Sequence, residues 1–229
     1  YVIIGGADYH HIETALLPAA ARSYSAAYWD SRVMAPSCLL FYIGLNKKLK
    51  DVQHHTLFFD TSFDVHGAEI YTTKSWPTDP LFYMSITSVT DATSAPEGHE
   101  NMFLLMPVAT GLAGDTEDVR EKYLDQMLTR IEKRLGQSVK DAIVYKRSFA
   151  QSDFISDYHA FKGNAYGLAN TLLQTAILKP SCRSKKVKNL FYTGQLTVPG
   201  PGVPPSLISG EVVAGQVVKH YSTNKNKQL

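Results

Sequence analysis

Apolar residues in this chain fall into two textures, dense short runs and one long helical stripe, and each predicts a different element. The runs Ser37 to Gly44, His55 to Phe59, Leu81 to Thr87 and Asn101 to Met106 are rich in aromatic and β-branched residues. Polar turns separate them, which predicts an antiparallel or mixed sheet between Val33 and Pro107. Both faces of these runs are apolar. The sheet is therefore expected to be covered on both sides, or covered on one side and open to a greasy ligand on the other. Between Thr116 and Leu135, the positions Leu124, Met127, Leu128, Ile131 and Leu135 recur at helical spacing, with Gly136 just past the end. This predicts an outer helix with one buried stripe.

The two ends of the chain carry a different pattern. Val2-Ile3-Ile4 reads as a short buried strand, Gly5-Gly6 as a sharp turn, and Asp8 as the cap of a helix that runs to Leu17 and stops at Pro18. Asn189 to Gly194 reads as a strand entering a Gly/Pro loop, followed by a helix from Ser206 to His220. Residues 222–229 have little to bury and are expected to be a frayed tail. Strand, glycine turn and helix in that order suggest the edge of an α/β unit. The chain contains no GxGxxG, so they do not amount to a dinucleotide fingerprint.

Composition narrows the function classes. With 229 residues and 44% hydrophobic content, the chain can bury a sizeable core. A formal net charge of +2 is too weak a field to argue for nucleic acid. The longest nearly unbroken apolar stretch, Ala35 to Leu45, falls far short of the ~20 residues of a membrane-spanning helix. Cys38 and Cys182 lie far apart without a CxxC pattern, which fits reduced thiols in a cytosolic protein. Neither His10-His11 nor His54-His55 is expected to hold a metal, because adjacent strand residues point to opposite faces. The chain opens at Tyr1 inside an apolar, glycine-bearing run, which reads as a cut through a larger protein.

The segment Gly194 to Gly210 carries the clearest chemistry. Gly194 at a strand end lets a ligand lie against bare backbone, and Gly200 and Gly202 permit turns closed to other residues. Pro204 and Pro205 sit where a helix can begin, and the N–H groups and partial positive end of that helix would face an anionic or electron-rich ligand. A purely structural turn competes evenly with this reading. Elsewhere, Asp153 suits either proton transfer or capping. Arg183, Lys185, Lys186 and Lys188 suit a solvated loop or anionic headgroups. Glu211 would complement the dipole of the last helix.

The Gly194 segment resembles the C-terminal FAD-contacting motif of bacterial-type phytoene desaturases, within the FAD-dependent carotenoid desaturase family. The matching residues are Asn189, Leu190, Phe191, Gly194, Pro199, Gly200, Gly202, Val203 and Pro204. The resemblance continues through Ser37 to Leu45, His54-His55-Thr56, Asp91, Ala95 to Gly98, Asp153-Phe154 and Gly163 to Leu168. Pro201 and Pro205 depart from it, since that family carries small residues there.

The resemblance implies a partial FAD-linked reductase of α/β class, with a mixed β-sheet substrate domain covered by helices. Residues 1–30 and 151–221 would belong to the Rossmann-type flavin domain, and 31–150 to the substrate domain. It implies FAD contact at Gly194, Gly200, Gly202, Val203 and Pro204, with the fragment alone binding FAD poorly and inactive. A helix end there would favour the negative charge of a reduced flavin. The implied reaction is desaturation of a long apolar polyene, phytoene towards lycopene. Later-step desaturases, carotenoid isomerases and retinol saturases share the motif. Phe41, Tyr42, Phe154, Phe161, Tyr166 and Leu168 are the expected tunnel lining, and no catalytic residue is assigned. The implied partners are an apolar carotenoid and, peripherally, a membrane surface on the cytoplasmic side. Taken alone, the chain has a second reading as a self-associating or lipid-binding piece.

Overall fold

A computed structural model describes residues 1–225. In chain order the strands and α-helices are β1 (Val2–Ile4), α1 (Tyr9–His11), α2 (Ala26–Asp30), β2 (Ser37–Leu45), β3 (His55–Phe58), α3 (Phe63–Tyr71), β4 (Phe82–Ser85), β5 (Glu100–Val108), α4 (Glu117–Leu135), β6 (Ile143–Phe149), α5 (Gln151–Tyr158), β7 (Leu190–Tyr192) and α6 (Val203–Lys225). The chain divides into two compact units, one built from residues 1–35 and from 154 onward, the other from 36–153.

The 36–153 unit is a five-stranded sheet in the order β3-β4-β5-β2-β6. Of the two sheet types expected, antiparallel or mixed, it is the antiparallel one, since every pairing in it is antiparallel. Strand β5 alternates strictly between buried and half-buried residues, as a sheet packed on one face requires. Leu39, Phe41, Ile43, Leu104 and Met106 bury one face in a core shared with Tyr123, Leu124, Met127, Leu128 and Ile131 of α4. The stripe read from the sequence is thus the buried side of α4. Thr116 Oγ1 caps its start by accepting the Val119 N–H, and Gly136 ends it in the left-handed conformation. The opposite face carries Tyr42 beside Phe103, and Leu105, Tyr83 and Leu57 in one cross-strand row.

In the other unit, β1 and β7 pair in parallel, Ile3 opposite Phe191. Strand β1 is where the sequence predicts it, but Val2 and Ile3 are half exposed, so the expectation of burial fails. The helix expected from Asp8 to Leu17 is one α-helical turn that runs on as a π-helix over Ile12–Leu16. Asp8 makes no capping hydrogen bond. Glu13 is fully buried in this segment and accepts the Ser23 and Tyr24 N–H groups, pinning the next loop. The last helix starts earlier and runs later than expected, so residues 222–225 are helical and 226–229 lie outside the described residues. Glu211 consequently sits beyond the first turn, where the helix dipole has faded, and no acidic residue occupies that turn.

Candidate functional site

Parallel pairing brings the C-terminal ends of β1 and β7 to the same edge, where ligands of open α/β sheets bind. Beyond those ends the chain turns on Gly5-Gly6 and on Thr193-Gly194, with the Thr193 N–H extending the ladder to the Ile4 carbonyl at 2.8 Å. A Cβ on Gly5 would stand 2.6 Å from Thr193 Oγ1, so any other residue there would have to turn the threonine hydroxyl aside.

Two adjoining hollows open here. One, of about 330 Å³, is lined by Gly5, Gly6, Asp8, Phe154, Tyr158, Asn164, Gly194, Gln195 and Ser206. The other, of about 360 Å³, shares Gly5, Gly194, Gln195 and Ser206 and adds Tyr166, Gly202, Val203 and Leu207. Gly194 has φ +113°, and the place its Cβ would occupy has nothing within 4 Å. Its bare backbone therefore faces open space. The loop is tied from behind: the Gly194 N–H donates to Ser209 Oγ at 2.8 Å, and the Gly194 carbonyl accepts the Thr197 hydroxyl at 2.8 Å.

The expected cofactor residues do not all face the hollows. Gly194, Gly202 and Val203 line the hollows. Gly200 faces the buried Lys179 instead, whose Cε would lie 2.8 Å from an added Cβ. Pro204 lies in the first turn of α6. The expected fan of N–H donors is reduced, because Pro204 and Pro205 have none and the Ser206 N–H is spent on the Gly202 carbonyl. What remains is the Val203 amide and the partial positive end of the helix.

The expected tunnel residues do not share one cavity. Phe154 and Tyr166 line the first and second hollow respectively. Phe161 packs against His10, with ring centroids 4.0 Å apart. Leu168 and Phe41 are corrections, since each is buried in the core of its own unit and has no free face to offer. Tyr42 lies on the open face of the sheet.

Asp153 does cap. Its carboxylate accepts the Ala150 N–H at 2.8 Å at the start of α5. Arg183 bridges to Phe191 of β7 and donates to the Lys188 carbonyl, while the Lys185 ammonium stands 4.1 Å over the Tyr24 ring. The antiparallel run of this segment along β7 places Lys185 to Lys188 at the end of the strand opposite Gly194.

The residues that sequence reasoning missed are Asp8, Asn164 and Gln195. The buried Asp8 carboxylate accepts the Phe161 N–H at 2.6 Å and the Asn164 side-chain amide at 3.0 Å. Asn164 Oδ1 in turn accepts from Gln195 at 2.8 Å and from the Gly167 N–H at 2.9 Å. Burial pushes the Asp8 carboxyl up to about 6, against the hydrogen bonds from Phe161, Asn164 and Gln195 that favour its ionised form. The folded chain thus takes up this proton more readily than the unfolded chain. Stability should rise as pH falls from above 6 towards 4, by on the order of 2–3 kcal/mol. Asp8→Asn should flatten that slope, and urea unfolding midpoints at several pH values across this window measure it.

No family model matches the chain. It is 43% identical over 217 residues to a carotenoid 3,4-desaturase of Haloarcula japonica, covering 95% of this chain and 44% of that protein. It is 31% identical to a 4,4'-diapolycopen-4-al dehydrogenase of Metabacillus indicus, covering 91% of this chain and 40% of that protein. It is 30% identical to a 4,4'-diapophytoene desaturase of Staphylococcus haemolyticus, covering 96% of this chain and 45% of that protein. The chain thus spans less than half the length of these curated relatives.

Proposed function

Because the chain is related over nearly its whole length to the carotenoid desaturases, we propose that it supplies one side of the FAD site of an oxidoreductase that desaturates a long apolar polyene. The observation that carries this reading is Gly194, a bare backbone at the end of a parallel strand, facing open space beside the positive end of α6. A flat ring system needs such a surface. When bound, FAD would supply a hydride acceptor.

The chain's own residues have definable tasks around it. Gly194, Gly202 and Val203 would hold the cofactor. The α6 dipole favours negative charge at its start. Phe154 and Tyr158 give the first hollow an aromatic wall, and Asp8 there holds or releases a proton at a pH of about 6. Phytoene-to-lycopene desaturation is the finer form of the proposal. The higher identity to the carotenoid 3,4-desaturase favours a second form, 3,4-desaturation of a carotenoid.

A membrane surface is the proposed source of so apolar a substrate. Among the described residues, no helix is long and apolar enough to cross a membrane. A further reading, self-association of the chain by itself, is favoured by Leu172 and Ile177, each 92% exposed in one loop. FAD titration tests the main proposal, using the chain joined to the part of the Haloarcula relative that it does not match. Saturable quenching of flavin fluorescence supports it, and failure to bind sinks it.

A further inference from the structure

A relay of three side chains in the lining of the first hollow fastens the residue after Gly194 to Asp8. Gln195 Nε2 donates to Asn164 Oδ1 at 2.8 Å, and Asn164 Nδ2 donates to the Asp8 carboxylate at 3.0 Å. The Asn164 amide cannot turn over, because Oδ1 also accepts the Gly167 N–H and Nδ2 also donates to the Phe161 carbonyl, each at 2.9 Å. All four hydrogen-bonding places of this buried amide are filled. Gly167 in turn lies against the Gln195 backbone, where an added Cβ would stand 2.4 Å from the Gln195 carbonyl oxygen. Asn164 therefore holds Gln195 by its side chain and braces the glycine on which its backbone rests.

Asp8 is the second observation. It stands at the N-cap of α1, yet makes no capping bond there and turns its carboxylate to Asn164 and the Phe161 N–H instead. A neutral side-chain oxygen could accept both hydrogens without the cost of burying a charge. What a carboxylate adds is strength, since a hydrogen bond to an ionised acceptor is roughly twice as strong as a neutral one. Among the described residues, no lysine, arginine or histidine lines the hollow to offset the charge, and the other titratable groups in its lining are the Tyr9 and Tyr158 phenols. The ionised form therefore rests on hydrogen bonds, and the Gln195 amide is among the groups that favour it.

Resting on the flavin reading above, we propose that Asn164 and Gln195 are positioning residues of the cofactor site, which hold the Gly194 turn in its ligand-facing pose by linking it to Asp8. Gly194 has no side chain to fix its own peptide planes, and glycine is free to leave a φ of +113° for many others. Ser209 and Thr197 tie the turn from behind, and the relay ties it from the side of the hollow. A surface fixed before the ligand arrives binds it more tightly, because the cost of ordering the loop has already been met in folding.

The test replaces Gln195, which is only half-buried, by methionine, keeping the bulk of the side chain and removing its donor. In the joined protein, Gln195→Met should bind FAD roughly tenfold more weakly, the loss of one ordinary hydrogen bond. Gln195→Leu, of similar bulk, should do the same. In the chain by itself, carboxyl-carbon NMR should show the Asp8 titration moving upward in both variants, because the lost bond favoured the ionised carboxylate. Combined with Asp8→Asn, Gln195→Met should cost less affinity than the two single losses together, since both act through one relay. An unmoved Asp8 titration, or losses that simply add, overturns the proposal and leaves Gln195 a direct contact or a packing residue. Parent binding with undiminished affinity in the Gln195 variants overturns it while the flavin reading stands. A parent that binds no FAD overturns the flavin reading, and this proposal with it.

Discussion

Arg120→Met is expected to cost the 36–153 unit about 3–5 kcal/mol, a large share of the ~5–15 kcal/mol that holds an ordinary domain folded. Arg120 is buried, and its guanidinium grips Asp115 with two bonds of 2.7 and 2.9 Å. The same group reaches Ser148 at 3.1 Å, Ser152 at 2.7 Å and the Asp153 carboxylate at 2.8 Å. It therefore fastens the start of α4 to the end of β6 and the cap of α5. Methionine fills similar volume but leaves Asp115, itself nearly buried, as an uncompensated charge.

The pH dependence identifies this cause. Burial pushes the Asp115 carboxyl up, but hydrogen bonds from Arg120 and Ser152 outweigh it and hold the carboxyl below its ordinary value. That contribution is present above the unfolded carboxylate value, near ~3.9, and is lost as pH falls through the lower folded value. In Arg120→Met this acid-side loss should vanish along with the overall stability. Urea denaturation at pH 7 and at pH 3 distinguishes it from simple loss of packing.

Gly167→Ala should be nearly as damaging to the other unit, with a loss of roughly 2–4 kcal/mol and weakened flavin binding. Gly167 has φ +90°, a conformation costly for alanine, and the added Cβ would lie 2.4 Å from the Gln195 carbonyl oxygen. That oxygen belongs to backbone, so relief requires moving Gln195 and with it Gly194. A thermal melt showing a shift of only a degree or two would mean the loop gives way more freely than its contacts indicate.

How far the molecule was legible depended on whether its signals were local. The stripe of α4 and the runs that became β2 and β5 could be read because each buries a continuous face. Strand β6 escaped because it is an edge strand paired to β2 alone, and its Lys146 and Arg147 break the apolar pattern. Helix α3 escaped because Gly67 and a short, irregular stripe hide its period. At the site, the glycines of the Gly194 loop announced a backbone that must turn sharply. The Asp8, Asn164 and Gln195 network did not, since Asp8 and Asn164 lie 156 residues apart and meet only through tertiary contacts. Phe41 and Leu168 were misplaced because an apolar side chain reads alike whether it faces a core or a ligand.

If Gly194 faces the flavin as proposed, FAD titration of the joined protein against its Gly194→Leu variant will separate the two. A leucine there has room to stand, because nothing lies within 4 Å of its Cβ, but it would fill the space a ring must enter and would strain a φ of +113°. Saturable binding by the parent is expected, with at least tenfold weaker binding by a variant that keeps its circular dichroism. Equal affinity in the two would make the Gly194 loop a structural turn.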